Sequence, residues 1–124
     1  FITVGDICAK NEVPKVNIDA TISDVIIEIS TKRLGATAVL ENGEIQGIIT
    51  DGDIRRMLQK SPDFSKLTAR DIFSGNARNI GKGELVVNAL SIMRENNITQ
   101  LLVTNKNEYV GVIHLHDIIN EGIF

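Results

Sequence analysis

Apolar residues at Ile22, Val25, Ile26 and Ile29 recur at the three- and four-residue spacing of a single helix face. Val86, Ala89, Leu90 and Met93 repeat that spacing later in the chain. The repetition extends well beyond one helix. Residues 23–54 align with residues 87–118 without a gap, and identities gather in one short stretch: Glu44/Glu108, Gly47/Gly111, Ile49/Ile113, Asp53/Asp117 and Ile54/Ile118. Upstream, Thr3-Val4-Gly5-Asp6-Ile7 is echoed by Thr68-Ala69-Arg70-Asp71-Ile72. The chain reads as two copies of one unit, residues 1–60 and 68–124, with residues 61–67 and their Pro62 as the linker.

Each unit predicts the same elements. A short turn at the Thr-x-x-Asp-Ile signature leads into an extended segment, Val13–Ile18 in the first copy. A helix follows, with Thr21-x-x-Asp24 as its capping box and Gly35 as its stop; Asn97 takes that place in the second copy. Two short strands come next, Ala36–Leu40 and Ile45–Ile49, joined through Asn42-Gly43, a pair that accepts the positive φ of a tight hairpin. Their counterparts are Leu101–Thr104 and Tyr109–Ile113 around Asn105-Lys106-Asn107. A last helix runs from about Asp53 to Gln59, and its partner starts at Asp117. The expected fold is a mixed α+β (α/β) architecture of two pseudo-symmetric helix-strand-strand-helix repeats, with sheets packed together and helices outside. Ile26, Ile29, Val39, Ile49, Leu90, Met93, Val103 and Ile113 are its expected core.

Composition sharpens this picture. The chain has 124 residues, with 19 Ile and 10 Val against 9 Leu, a β-branched bias that favours buried sheet beside helix. Hydrophobic residues at 43% and charged residues at 23% describe a globular protein. A net charge of −3 lacks the basic excess of a nucleic-acid binder, and the few aromatics supply no stacking platform for single strands. Cys8 stands alone, so no internal disulfide forms and a reducing cytoplasm is the expected compartment. No apolar run approaches the roughly 18 residues of a membrane helix. The chain starts at Phe1 without a Met, which reads as a segment of a longer protein.

Catalytic constellations are missing from the sequence. No Ser-His-Asp or Cys-His arrangement and no Gly-rich phosphate loop is present, so the segment is not expected to be an enzyme. His114-Leu115-His116-Asp117 places two imidazoles and a carboxylate at a strand end, but no further metal ligand is evident, and hydrogen-bonding histidines are the plainer reading. The candidate chemistry lies at two strand-to-helix corners, Thr50-Asp51-Gly52-Asp53 and His114-Leu115-His116-Asp117. A helix start offers free N–H groups, a first-turn carboxylate can accept from a ribose diol, and Gly52 allows close approach to the backbone. Thr50-x-x-Asp53 is equally a capping box, and the ligand and structural readings stand side by side. His114 is a poor cap, which leaves Asp117 free for a ligand and lets its removal move the melting temperature little.

Two copies of helix-strand-strand-helix, each ending in Gly-Ile/Val-Ile-x-x-x-Asp-Ile, resemble a tandem pair of CBS domains across essentially the whole chain. The resemblance implies repeats packed sheet against sheet, with clefts that bind adenosine or related nucleotides. Carried over, the ribose-gripping Asp falls on Asp53 and Asp117; Thr50 matches the hydroxyl residue three positions before it, and His114 departs from it. The string from Gly47 to Arg56, with Glu12-Val13-Pro14 and His114-Leu115-His116-Asp117, resembles the C-terminal CBS pair of D-arabinose-5-phosphate isomerases of Kdo synthesis for lipopolysaccharide or capsule. That likeness implies an N-terminal sugar-isomerase domain ahead of this segment. It also implies a regulatory role, sensing a nucleotide or the nucleotide sugar CMP-Kdo through Thr50, Gly52, Asp53, His114, His116 and Asp117, with no cofactor. The alternative is an assembly module with empty clefts. A homodimer is expected under both, with neither nucleic acid nor membrane as partner.

Overall fold

A computed structural model describes residues Phe1–Gly122, so the last two positions of the expected second repeat lie outside the described residues. The order is α1 (Val4–Cys8), β1 (Lys15–Asn17), α2 (Ile22–Lys32), β2 (Ala36–Glu41), β3 (Glu44–Thr50), α3 (Asp51–Lys60), α4 (Ala69–Ile72), β4 (Asn79–Gly81), α5 (Val86–Asn96), β5 (Gln100–Asn105), β6 (Glu108–His114) and α6 (Leu115–Asn120). The strands form two three-stranded sheets, β1-β2-β3 and β4-β5-β6. In each, the outer strand joins in parallel and the hairpin is antiparallel. The extended segment of each unit is thus a third strand, and β4 is the counterpart of β1.

The repeat holds in register as well as in order. Ala36 faces Thr50 as Gln100 faces His114, and a bulge falls after Val39 in one hairpin and after Val103 in the other. The hairpin turns are Asn42-Gly43 and Lys106-Asn107, all four residues at positive φ. The helix stop differs from the expected one. Arg33, not Gly35, carries the left-handed C-cap of α2 at φ 63°, and Asn97 occupies the equivalent place after α5 at φ 54°. Asn tolerates that conformation, whereas Arg33 bears a Cβ penalty of roughly 1–2 kcal/mol. Thr21 caps α2 by accepting from the Asp24 N–H at 3.1 Å.

By compactness the chain divides into two units that differ from the sequence repeats: Pro14–Ala77 forms one, and Phe1–Val13 joins Arg78–Phe124 in the other. Each copy therefore lends its lead-in segment to the unit built by the other. In the first unit, α4 is tied down by Ala69 N–H to Ala20 C=O at 2.9 Å and Arg70 N–H to Ile18 C=O at 2.8 Å. In the second, Val4 N–H reaches Glu84 C=O and Gly5 N–H reaches Lys82 C=O, both at 2.8 Å. Thr3 and Asp6 cap α1 reciprocally, and at α4 the Thr68 N–H and hydroxyl both donate to Asp71 Oδ2, at 2.8 Å and 3.4 Å, which accounts for the Thr-x-x-Asp echo.

Each unit has its own apolar core. Val16, Ile18, Val25, Ile29, Val39, Ile49 and Ala69 fill one; Val4, Ile7, Val86, Met93, Leu101, Val103, Ile113 and Ile118 are among those filling the other. Ile26 and Leu90 are only half-buried, so the helix stripe facing the core is narrower than expected and is carried by Ile22, Val25, Ile29 and Val86, Ala89, Met93. Among the described residues no helix is long and apolar enough to cross a membrane.

Candidate functional site

At the first corner β3 runs straight into α3, and Thr50 is the N-cap in extended conformation. Its hydroxyl accepts from the Asp53 N–H at 3.3 Å and donates to Asp53 Oδ2 at 3.2 Å, while its own N–H donates to the same oxygen at 2.9 Å. The other carboxylate oxygen, Oδ1, accepts from the Arg56 guanidinium at 2.6 Å. That guanidinium folds back over Gly52: a Cβ there would sit 3.2 Å and 3.4 Å from its two terminal nitrogens. Gly52 thus makes room for an arginine side chain at the helix start. A groove of about 330 Å³ opens alongside, with Asp53, Arg56, Lys60, Ser61 and Asp71 among its walls.

The second corner is built from different parts. Asp117 Oδ2 accepts from the His114 N–H at 2.9 Å. His114 Nδ1 in turn accepts from the His116 N–H at 2.9 Å, so the imidazole does the work of a capping oxygen. The expectation that His114 caps poorly is corrected by this bond, and Asp117 is itself part of a reciprocal cap. Its removal therefore costs stability of about 0.5–2 kcal/mol instead of leaving the melting temperature unmoved. Asn11, from the loop after α1, donates to Asp117 Oδ2 at 3.0 Å and to Val112 C=O at 3.3 Å. No local sequence signal marks Asn11, because it meets Asp117 only through the borrowed lead-in segment. Arg56 was legible in principle, since Asp53 and Arg56 stand one helix turn apart.

The rings of His114 and His116 stack with centroids 4.8 Å apart and planes within 1°. Lone pairs lying in parallel planes do not converge on one ion. Among the described residues no group of three or more His, Cys, Asp or Glu side chains is placed to hold a metal. Burial pushes the Cys8 thiol up from its ordinary value, with the Asp117 charge adding to it, so Cys8 stays a protonated, buried thiol. An apolar groove of about 330 Å³ lies between α5 and α6, lined by Leu90, Met93, Ile98, Leu115 and Ile119 with Arg94 at its edge, and does not include Asp117.

Burial holds the His114 imidazole below its ordinary value; the neighbouring His116 charge acts the same way and Asp117 opposes both. A folded-state value below the unfolded one means the unfolded chain binds more protons in that window. The associated stability is complete above about pH 6.5 and is lost as the pH falls below it. Thermal unfolding between pH 8 and 5 should therefore show wild type losing ground to His114→Asn, a side chain that caps without titrating. Parallel curves for the two proteins would remove His114 as the cause.

A CBS-domain family model matches residues 4–60 and 67–123. Arabinose 5-phosphate isomerase KdsD of Salmonella typhi is 37% identical over 125 aligned residues, taking in 99% of this chain and 38% of that protein. The chain thus spans well under half the length of such relatives. The crystal structure of a CBS domain superposes with a TM-score of 0.89 at 15% identity, covering 99% of this chain and 98% of that one. A CBS domain protein of Pyrobaculum aerophilum, complexed with AMP, superposes at 0.82 with 25% identity, covering 94% of this chain and 89% of its own.

Proposed function

The chain belongs to the CBS-domain family, and from that premise we propose that it is the regulatory segment of a sugar-phosphate isomerase, binding a nucleotide or nucleotide sugar at its strand-to-helix corners. The observation that carries the ligand reading is the repeated first-turn carboxylate, fixed by backbone N–H groups at Asp53 and again at Asp117. A carboxylate so held is oriented in advance to accept from a vicinal diol, so little ordering entropy is lost on binding. Thr50, Gly52, His114 and His116 shape the two corners around it. The likeness to arabinose 5-phosphate isomerases supports the attachment to an isomerase, whose catalytic chemistry would reside in a preceding sugar-isomerase domain. The likeness to an AMP-bound CBS protein supports a nucleotide, and CMP-Kdo, the nucleotide-sugar end product of such a route, joins AMP, ADP, ATP and CMP as candidates.

Thermal unfolding in the presence of each candidate is the direct test, because a ligand that binds only the native state at about 100 times its Kd adds about 2.7 kcal/mol. Asp117→Ala should then weaken the active ligand about 10–150-fold, the loss of a charge-assisted hydrogen bond. Affinity must be measured well below the melting temperature, because the same substitution also removes a cap. The assembly reading draws on the exposed Ile27 at 60% and Val87 at 52%, apolar side chains on α2 and α5. An absence of any thermal shift with all five ligands would transfer the case to it.

A further inference from the structure

Equivalent in sequence, the two corners differ in what already occupies their carboxylates. At Asp53 both oxygens are engaged: Oδ2 by the Thr50 N–H and hydroxyl, Oδ1 by Arg56 at 2.6 Å. The Asp53 side chain is 17% exposed, and the guanidinium lies over Gly52, on the backbone that a ligand would have to approach. At Asp117 both hydrogen bonds found among the described residues fall on Oδ2, from the His114 N–H and the Asn11 amide. Both donors are neutral. Position 120, one helix turn on, is Asn where the first corner has Arg56, and among the described residues no Lys or Arg pairs with Asp117.

We infer that Arg56 is a specificity-determining latch on the first corner, so that a ligand diol is taken preferentially by Asp117 and reaches Asp53 only by displacing the guanidinium. This inference rests on the nucleotide reading above and adds to it which corner is filled first and why. A diol entering at Asp53 must break a charge-assisted hydrogen bond before making its own, and none of that cost arises at Asp117. Gly52 belongs to the latch, because a side chain at that position would crowd the folded-back guanidinium.

Calorimetric titration with AMP separates the outcomes. Wild type should show its tighter site at Asp117, weakened at least about tenfold in Asp117→Asn. Arg56→Gln, at a side chain 59% exposed and so without a folding penalty, should strengthen the weaker corner about five- to tenfold. Adding Asp53→Asn to Arg56→Gln should abolish that gain. A tighter site lost in Asp53→Asn and kept in Asp117→Asn, or an Arg56→Gln protein indistinguishable from wild type, would overturn the latch and leave the nucleotide reading standing. No binding of AMP, or of any of the other four candidate ligands in its place, by any of these proteins would sink both together.

Discussion

Truncating Ile113 to Ala should lower the unfolding free energy by about 2–5 kcal/mol, and Ile49→Ala should do the same in the other unit. Both side chains are fully buried, at the same position of the hairpin strand that runs into the last helix of each repeat. The loss has two parts, the transfer energy of the removed methyl and methylene groups and the cavity they leave. Ile113 packs among Val4, Met93, Leu101 and Ile118, from four separate elements, so the gap cannot be closed by moving one of them. Urea unfolding should show a lower midpoint with an unchanged slope. Ile26→Ala and Leu90→Ala, at half-buried positions, should cost distinctly less. Equal losses at all four positions would contradict the burial assigned to them.

The parts of the fold that were legible in the sequence are those set by local chemistry. Helical spacing at Ile22, Val25 and Ile29, the Asn42-Gly43 turn and the Thr50-x-x-Asp53 cap each follow from residues a few positions apart, and each lies where that chemistry puts it. The misses are long-range or turn on substitute chemistry. The borrowing of Phe1–Val13 by the unit containing Arg78–Phe124 depends on contacts that no window along the chain contains. Arg33 at a left-handed C-cap runs against residue preference, so no local rule points to it. The His114 cap was missed because an imidazole nitrogen stands in for the usual hydroxyl or carboxylate. At the candidate site the two carboxylates were readable from the repeat, but their partners were not. Asn11 comes from the far end of the chain, and the place of the Arg56 guanidinium over Gly52 is a matter of side-chain conformation.

The repeated glycines Gly47 and Gly111 are expected to be among the positions least tolerant of change, for a reason the lead-in segments supply. A Cβ at Gly47 would overlap the Ser74 carbonyl oxygen and come within 2.7 Å of the Phe73 ring. Ser74 is itself locked in a pair of backbone hydrogen bonds with Ile48, at 3.0 Å and 2.9 Å, so the carbonyl has nowhere to go. Gly47→Ala should therefore cost at least the about 3 kcal/mol at the upper end of ordinary overpacking. At Gly111 the obstacle is different, because a Cβ would meet the Cys8 sulfur at 2.5 Å, the end of a side chain instead of backbone. Gly111→Ala should cost less, about 1–3 kcal/mol, and the cost should be recoverable. Cys8→Ala removes the obstructing atom, so the double variant should be more stable than the two single losses sum to, with a coupling of about 0.5–3 kcal/mol. The same Cys8→Ala change should leave Gly47→Ala unrelieved, because its obstacle is the Ser74 backbone. Chemical denaturation of wild type, the three single variants and the two double variants reads all of this. Additive losses for Cys8→Ala and Gly111→Ala would show that Gly111 is needed for something other than the approach of the borrowed lead-in segment.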